Sequence, residues 1–153
     1  MPGIHEVHAL PYSAEQMFDL VADVGRYAEF LPWVVATRIR SDSETEMVAD
    51  MLVGFKAIRE KFTSRVIKDR PQSIIVHYID GPLRDLDNRW HFKPLGEGSC
   101  EVDFSVDFTF RNRVFEALAG QYFESAFHRM VAAFEARAHE LYGSSSSSAQ
   151  SRA

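Results

Sequence analysis

The sequence predicts an α+β domain in which a curved antiparallel sheet wraps around a long C-terminal helix. The first observation behind this is the stretch Cys100 to Phe110, which alternates without a slip. Cys100, Val102, Phe104, Val106, Phe108 and Phe110 share one face, and Glu101, Asp103, Ser105, Asp107 and Thr109 the other. That is the pattern of a long, half-buried antiparallel strand. The second is Asn112 to Tyr142, where Phe115, Leu118, Tyr122, Phe123, Ala126, Phe127, Met130 and Phe134 recur at helical spacing. They span an arc of roughly 200°, wider than the stripe that seats a helix on a flat surface. A rise of 1.5 Å per residue makes this helix about 45 Å long. Gln121, Glu124, His128, Glu135 and His139 fall on its opposite, polar side. The third is the order of the remaining elements: a strand, two short helices, then consecutive strands joined by short turns, which implies a meander.

Taken in order, Ile4 to Leu10 is a short strand of mixed polarity. Ser13, with Gln16 three residues on, forms a capping-box pattern for a helix whose apolar side is Met17, Phe18, Leu20, Val21 and Val24. Arg26 to Leu31 reads as a second short helix, stopped by Pro32, and Trp33 to Arg40 as the second strand. Met47, Ala49, Met51, Val53 and Phe55 alternate on the third, with Gly54 permitting a bend. Ala57 to Asp69 is the fourth, with Ile58, Phe62, Ser64 and Val66 inward. Ile74 to Ile79 is a β-branched fifth strand, and Leu86, Asn88, Trp90 and Phe92 mark the sixth. Residues 1–143 make one domain; 144–153, with five consecutive serines, read as a disordered tail.

Composition narrows the chemistry. The net charge of −5 over 153 residues offers no general attraction for nucleic acid. A lone cysteine, Cys100, excludes an internal disulfide and a cysteine-based zinc site, and its place on an apolar strand face makes it a small hydrophobe. The start resembles neither a signal nor a transit peptide, and no run is long enough to span a bilayer. A cytoplasmic protein is expected, with room for peripheral contact at the inner membrane. There is no phosphate-binding glycine loop and no nucleophile elbow. His5 and His8 point to opposite strand faces and so make no metal pair. His77 and His91 lie off the apolar stripes, and Asp80, Asp85 and Asp87 crowd a turn.

The aromatic residues speak louder. Phe30, Trp33, Phe62, Tyr78, Trp90, Phe104 and Phe108 face the interior from the sheet side, and Tyr122, Phe123, Ala126, Phe127 and Met130 from the helix. Met47 and Met51 give adaptable walls. A curved sheet closes imperfectly on a long helix, and the space left favours an apolar ligand steered by a few polar groups. Asn88, Ser64, Tyr122 and Arg129 are the inward polar candidates. A second feature is basic: Lys56, Arg59, Lys61, Arg65, Lys68 and Arg70 fall close together, and Arg59, Lys61 and Arg65 share one strand face, the outer one if Phe62 points in. Anionic headgroups or RNA phosphates suit such a face.

The run Leu20-Val21-Ala22-Asp23-Val24-Gly25-Arg26-Tyr27-Ala28-Glu29-Phe30-Leu31-Pro32-Trp33 resembles the signature of the coenzyme Q-binding START-like proteins. So do Leu52-Val53-Gly54-Phe55, Asp80-Gly81-Pro82 with Leu86 and Trp90, and Ala133-Phe134-Glu135-Ala136-Arg137 with Tyr142-Gly143. The resemblance runs from Ile4 to Gly143 and departs at Val34, where many relatives have cysteine, and at Leu83, where an aromatic often follows Gly-Pro. It implies the helix-grip fold, and a non-enzymatic protein that binds ubiquinone or a related polyisoprenoid lipid in support of respiration or quinone delivery. No catalytic residue, metal or cofactor comes with it. A related bacterial branch is described as a ribosome-association toxin acting on the large subunit. For that reading the basic strand would be the contact surface. Polyketide cyclases share the broader fold, and the lack of an inward acid–base pair in the sequence counts against that chemistry.

Overall fold

The computed structural model describes residues 3–55 and 58–143, with residues 55, 58, 115, 116 and 118–124 described as backbone. Seven strands form one antiparallel sheet: β1 (Gly3–Leu10), β2 (Val34–Asp42), β3 (Glu46–Phe55), β4 (Ile58–Asp69), β5 (Ser73–Asp80), β6 (Leu83–Gly96) and β7 (Ser99–Phe110). Their spatial order is β1-β7-β6-β5-β4-β3-β2, so the chain after β2 is an uninterrupted meander that β1 closes from the far side. Helix α1 (Ala14–Ala22) and a 3₁₀ segment (Val24–Glu29) separate β1 from β2, and helix α2 (Arg113–Ala138) ends in a π-helical turn (His139–Gly143). This is the expected fold. The serine tail and Lys56 lie outside the described residues.

Local chemistry accounts for the boundaries. Ser13 Oγ accepts from the Gln16 amide at 3.1 Å while Gln16 Oε1 accepts from the Ser13 amide at 2.9 Å, which completes the capping box of α1. The β5–β6 turn depends on Gly81, whose φ is +148°. A Cβ there would sit 2.9 Å from both the Lys61 carbonyl oxygen and the Tyr78 hydroxyl. That hydroxyl in turn accepts the Leu83 amide at 2.9 Å. The second short helix is 3₁₀ and begins earlier than the sequence predicts, at Val24, directly after Asp23, which also ends α1.

Register fixes which residues share the concave face. Met51 pairs with Phe62, and Ser64 lies between Ala49 and Tyr78. Trp90 lies between Ile74 and Phe104, and Phe104 is followed by Glu6 on the edge strand. The core on this face joins Phe92, Cys100, Val102, Phe104 and Val106 to Met17, Phe18, Leu20 and Val21 of α1 and to Phe134 and Ala138 of α2. Helix α1 thus plugs one end of the curved sheet, and α2 lies along it.

Candidate functional site

The concave face divides into two parts. Under the C-terminal half of α2 it is filled by rings. Phe134 packs edge-on against Trp90 at 5.2 Å, Phe30 at 5.4 Å and Tyr27 at 5.5 Å between centroids. Trp90 meets Phe104 at 4.5 Å, and Phe127 stacks on Phe104 and Phe108 at 6.2 and 6.3 Å. The cluster thus brings together Phe30, Trp90, Phe104, Phe108 and Phe127 of the expected cavity, with Met130 packed against the core. Arg137 caps it, 5.1 Å above the Phe30 ring and ion-paired to Glu29 at 2.6 Å.

Towards β3–β5 the same face is only half covered. Met51, Phe62, Val76 and Tyr78 are half-buried, with Phe62 and Tyr78 edge-on at 6.5 Å. Ser64 is half-buried between Ala49 and Tyr78, and Met47 is fully buried beside them. Trp33 is half-buried in the loop before β2, where its carbonyl accepts the Gly54 amide at 2.9 Å. Ala126 is half-buried on α2, whereas Tyr122 and Phe123 are described as backbone. The apolar side chains of Met51, Phe62, Val76 and Tyr78 are partly buried and packed against the core, and they lie side by side on one face.

Of the inward polar candidates, Asn88 is held in place: its Nδ2 donates to the Ser105 carbonyl at 2.9 Å and its Oδ1 accepts from Trp90 Nε1 at 3.2 Å. Ser64 faces inward, while Arg129 is exposed and so does not point into the site. His77 and His91 are kept apart by register, pairing with Asp87 and Ser73, and Asp80, Asp85 and Asp87 are exposed.

One cluster was not legible in the sequence. Glu6 and His8 face inward from β1, with His8 Nε2 2.7 Å from Glu6 Oε1. The other His8 nitrogen, Nδ1, lies 3.5 Å from Glu135 Oε2, and His128 Nδ1 lies 3.2 Å from Glu6 Oε2. A protonated imidazole would donate to both carboxylates at once. Glu135 and His128 belong to the polar side of the helix pattern, which the sequence leaves in water. The mixed polarity of Ile4–Leu10 was the available signal, because an edge strand with charge on its inner face needs partners from elsewhere.

The convex face carries the basic residues as expected. Arg59, Lys61 and Arg65 are exposed, and Arg65 contacts Glu46 at 3.4 Å. Between them Thr63 and Asp50 are buried on the same face. Asp50 accepts from Thr63 Oγ1 at 2.6 Å and from Arg40 Nε at 2.8 Å. These bonds, the Thr63 bond most of all, hold its carboxyl below the usual range. Cys100 is fully buried and its thiol is pushed up to about 11 by burial, so it is no nucleophile at neutral pH.

Two open clefts lie at the opposite end, around α1. One of about 620 Å³ is lined by Phe18, Asp19, Glu44, Lys68 and Arg70, and one of about 130 Å³ by Asp23, Phe30, Arg137 and Tyr142. Their charges are tied in pairs, Lys68 to Asp42 at 2.6 Å and Arg70 to Asp19 at 2.8 Å. No helix among the described residues is long and apolar enough to cross a membrane.

Residues 10–135 match the family model described as polyketide cyclase/dehydrase and lipid transport. The ribosome association toxin RatA of Escherichia coli is 39% identical over 142 residues, covering 93% of this chain and 90% of that protein. The mitochondrial coenzyme Q-binding protein COQ10 homolog B of Xenopus laevis is 33% identical, over 90% of this chain and 58% of that protein. A solved 18 kDa protein from Caulobacter crescentus is 36% identical with a TM-score of 0.74, over 94% of this chain and 99% of that one. The sheet, the gripped helix and the match over residues 10–135 agree: the chain belongs to the polyketide cyclase/dehydrase and lipid transport family, with its START-like fold.

Proposed function

We propose that this protein binds ubiquinone or a related polyisoprenoid lipid on its concave face and does not transform it. The observation that carries the reading is the half-covered strip formed by Met51, Phe62, Val76 and Tyr78 beside a filled aromatic cluster. The strip keeps part of its apolar surface uncovered, and an isoprenoid tail gains about 0.8 kcal/mol for each methylene-sized unit removed from water. The coenzyme Q-binding name of one relative supports the same ligand class. The Glu6–His8–His128–Glu135 network lies at the edge strand, where its polar contacts link α2 to the sheet; no catalytic role is assigned to it. Titration with a ubiquinone in detergent, followed by quenching of Trp90 and Trp33 fluorescence, tests the reading. Saturation at one equivalent is expected. Quenching no stronger than that of a tail-less quinone would refute it.

A second reading is favoured by the exposed face of Arg59, Lys61 and Arg65 together with the ribosome association toxin at 39% identity. Under it, the chain contacts the large ribosomal subunit through β4. Co-sedimentation that is lost in the Arg59→Glu/Lys61→Glu/Arg65→Glu variant would support it. No co-sedimentation of the parent protein would remove it.

A further inference from the structure

The two ends of the sheet differ in charge. Antiparallel pairing gathers the β3–β4 hairpin, the β5–β6 turn and the junction of β7 with α2 at one end. The junction is tied to the turn: the Arg111 amide donates to the Pro82 carbonyl at 3.3 Å, and its Nε to the Leu83 carbonyl at 3.0 Å. Arg59, Lys61, Arg84, Arg111 and Arg113 are exposed around this end, facing Glu60, Asp80 and Asp85. Among the described residues no ion pair engages Arg59, Arg84 or Arg113. At the opposite end Glu15, Asp19, Asp23, Asp42, Glu44 and Glu46 are exposed, and Asp19, Asp23, Asp42 and Glu46 are paired there with Arg70, Arg26, Lys68 and Arg65. Among the described residues, unpaired positive charge thus stands at one end of a chain whose net charge is −5.

Stability of the fold does not place Arg59, Arg84 or Arg113, whereas Arg111 ties the junction to the turn. Arg111 and Arg113 flank the start of α2, where the helix dipole disfavours positive charge. Val114, in the first turn, is 68% exposed, and Ile79, beside the turn, is 48% exposed. The half-covered apolar strip runs to this same end, because Phe62 and Tyr78 lie next to the β5–β6 turn.

We propose that this end of the sheet seats on an anionic lipid bilayer. Arg59, Arg84, Arg111 and Arg113 meet the headgroup phosphates, Val114 enters the acyl boundary, and the concave face opens towards the membrane. The proposal rests on the lipid-binding reading above and adds where the cargo enters. The exposed hydrophobics favour a bilayer over RNA. Among the described residues they are all aliphatic, whereas single-stranded RNA is gripped by exposed aromatic rings on which its bases stack.

The test is co-sedimentation of the full chain with vesicles of phosphatidylcholine alone or mixed with phosphatidylglycerol, without quinone, at low and high salt. Binding is expected on the mixed vesicles only and is lost at high salt. Arg84→Glu/Arg113→Glu weakens it at least about tenfold, since each basic residue near an anionic surface contributes about fivefold. Both side chains are exposed, and glutamate suits the first turn of α2, so the variant keeps its fold and its affinity for ubiquinone in detergent. Equal binding to both vesicle types, or parental binding by the variant, overturns the proposal. So does a protein that ignores vesicles but pellets with the large ribosomal subunit. Vesicle binding without any quinone binding in detergent would uphold the docking surface and remove the ubiquinone reading alone.

Discussion

Replacing Ser64 with tryptophan puts an obstacle in the half-covered strip. Ser64 faces inward between Ala49 and Tyr78, with Phe62 and Val66 two residues away on the same face. Cross-strand neighbours at such positions are about 5 Å apart, so an indole there covers the strip from β3 to β5. An aromatic side chain buries about 150–250 Å². If it displaces about 100 Å² of isoprenoid tail, at about 25 cal/mol per Å², the loss is about 2.5 kcal/mol, or roughly sixtyfold in affinity. The position is partly buried beside buried Ala49, so the change costs about 1–3 kcal/mol of stability, and native circular dichroism is required before the affinity is read. Isothermal titration with a ubiquinone in detergent reads the affinity, and Ser64→Ala, which leaves the strip open, is the control. A Ser64→Trp protein with native circular dichroism that binds within twofold of the parent would refute the placement of the ligand.

Other consequences follow from the packing. Phe134→Ala removes the ring that joins Trp90, Phe30 and Tyr27, and costs about 3–5 kcal/mol in chemical denaturation; a loss below about 1 kcal/mol would mean the cluster is loosely packed. Thr63→Val removes the bond that does most to lower the Asp50 pKa and costs about 1.5–3 kcal/mol at neutral pH. Because that pKa is lowered on folding, the stabilisation is present above the ordinary carboxylate range and is lost as pH falls through the folded value. The gap in melting temperature between parent and variant therefore narrows in acid, and a gap independent of pH would contradict the assignment. Cys100, buried with its thiol pushed up to about 11, resists alkylation at pH 8 until the protein is unfolded; rapid labelling of the native protein would show that the core opens there.

The sheet was legible because its strands are half-buried, so alternation names the inner face directly. Cys100 to Phe110 fixed β7 in this way, and its register then oriented β6 and β1. The long helix was legible from spacing, but its surroundings were not. Glu135 and His128 read as solvent-facing, and His128 is exposed, yet both also meet the inner face of β1 at His8 and Glu6, because that face of an edge strand need not be apolar when a helix supplies polar partners. From the aromatic list, Phe62, Tyr78, Trp90, Phe104 and Phe108 lie on one sheet face, but the list does not distinguish its more covered from its less covered parts. Alternation reports direction, whereas the Phe104–Phe127 stack depends on where α2 crosses the sheet. Arg129 was misplaced for the same reason: on a helix with so broad an apolar arc, small rotations decide which residues at its margin face inward.

The most direct test of the central claim is mass spectrometry of the organic extract of this protein after it is loaded with a mixture of cellular lipids and passed through gel filtration. An isoprenoid quinone is expected at about one molecule per chain in the parent protein and is lost in Ser64→Trp, with phospholipids left behind. An extract without quinone, or with the same bulk lipids in both proteins, would contradict it.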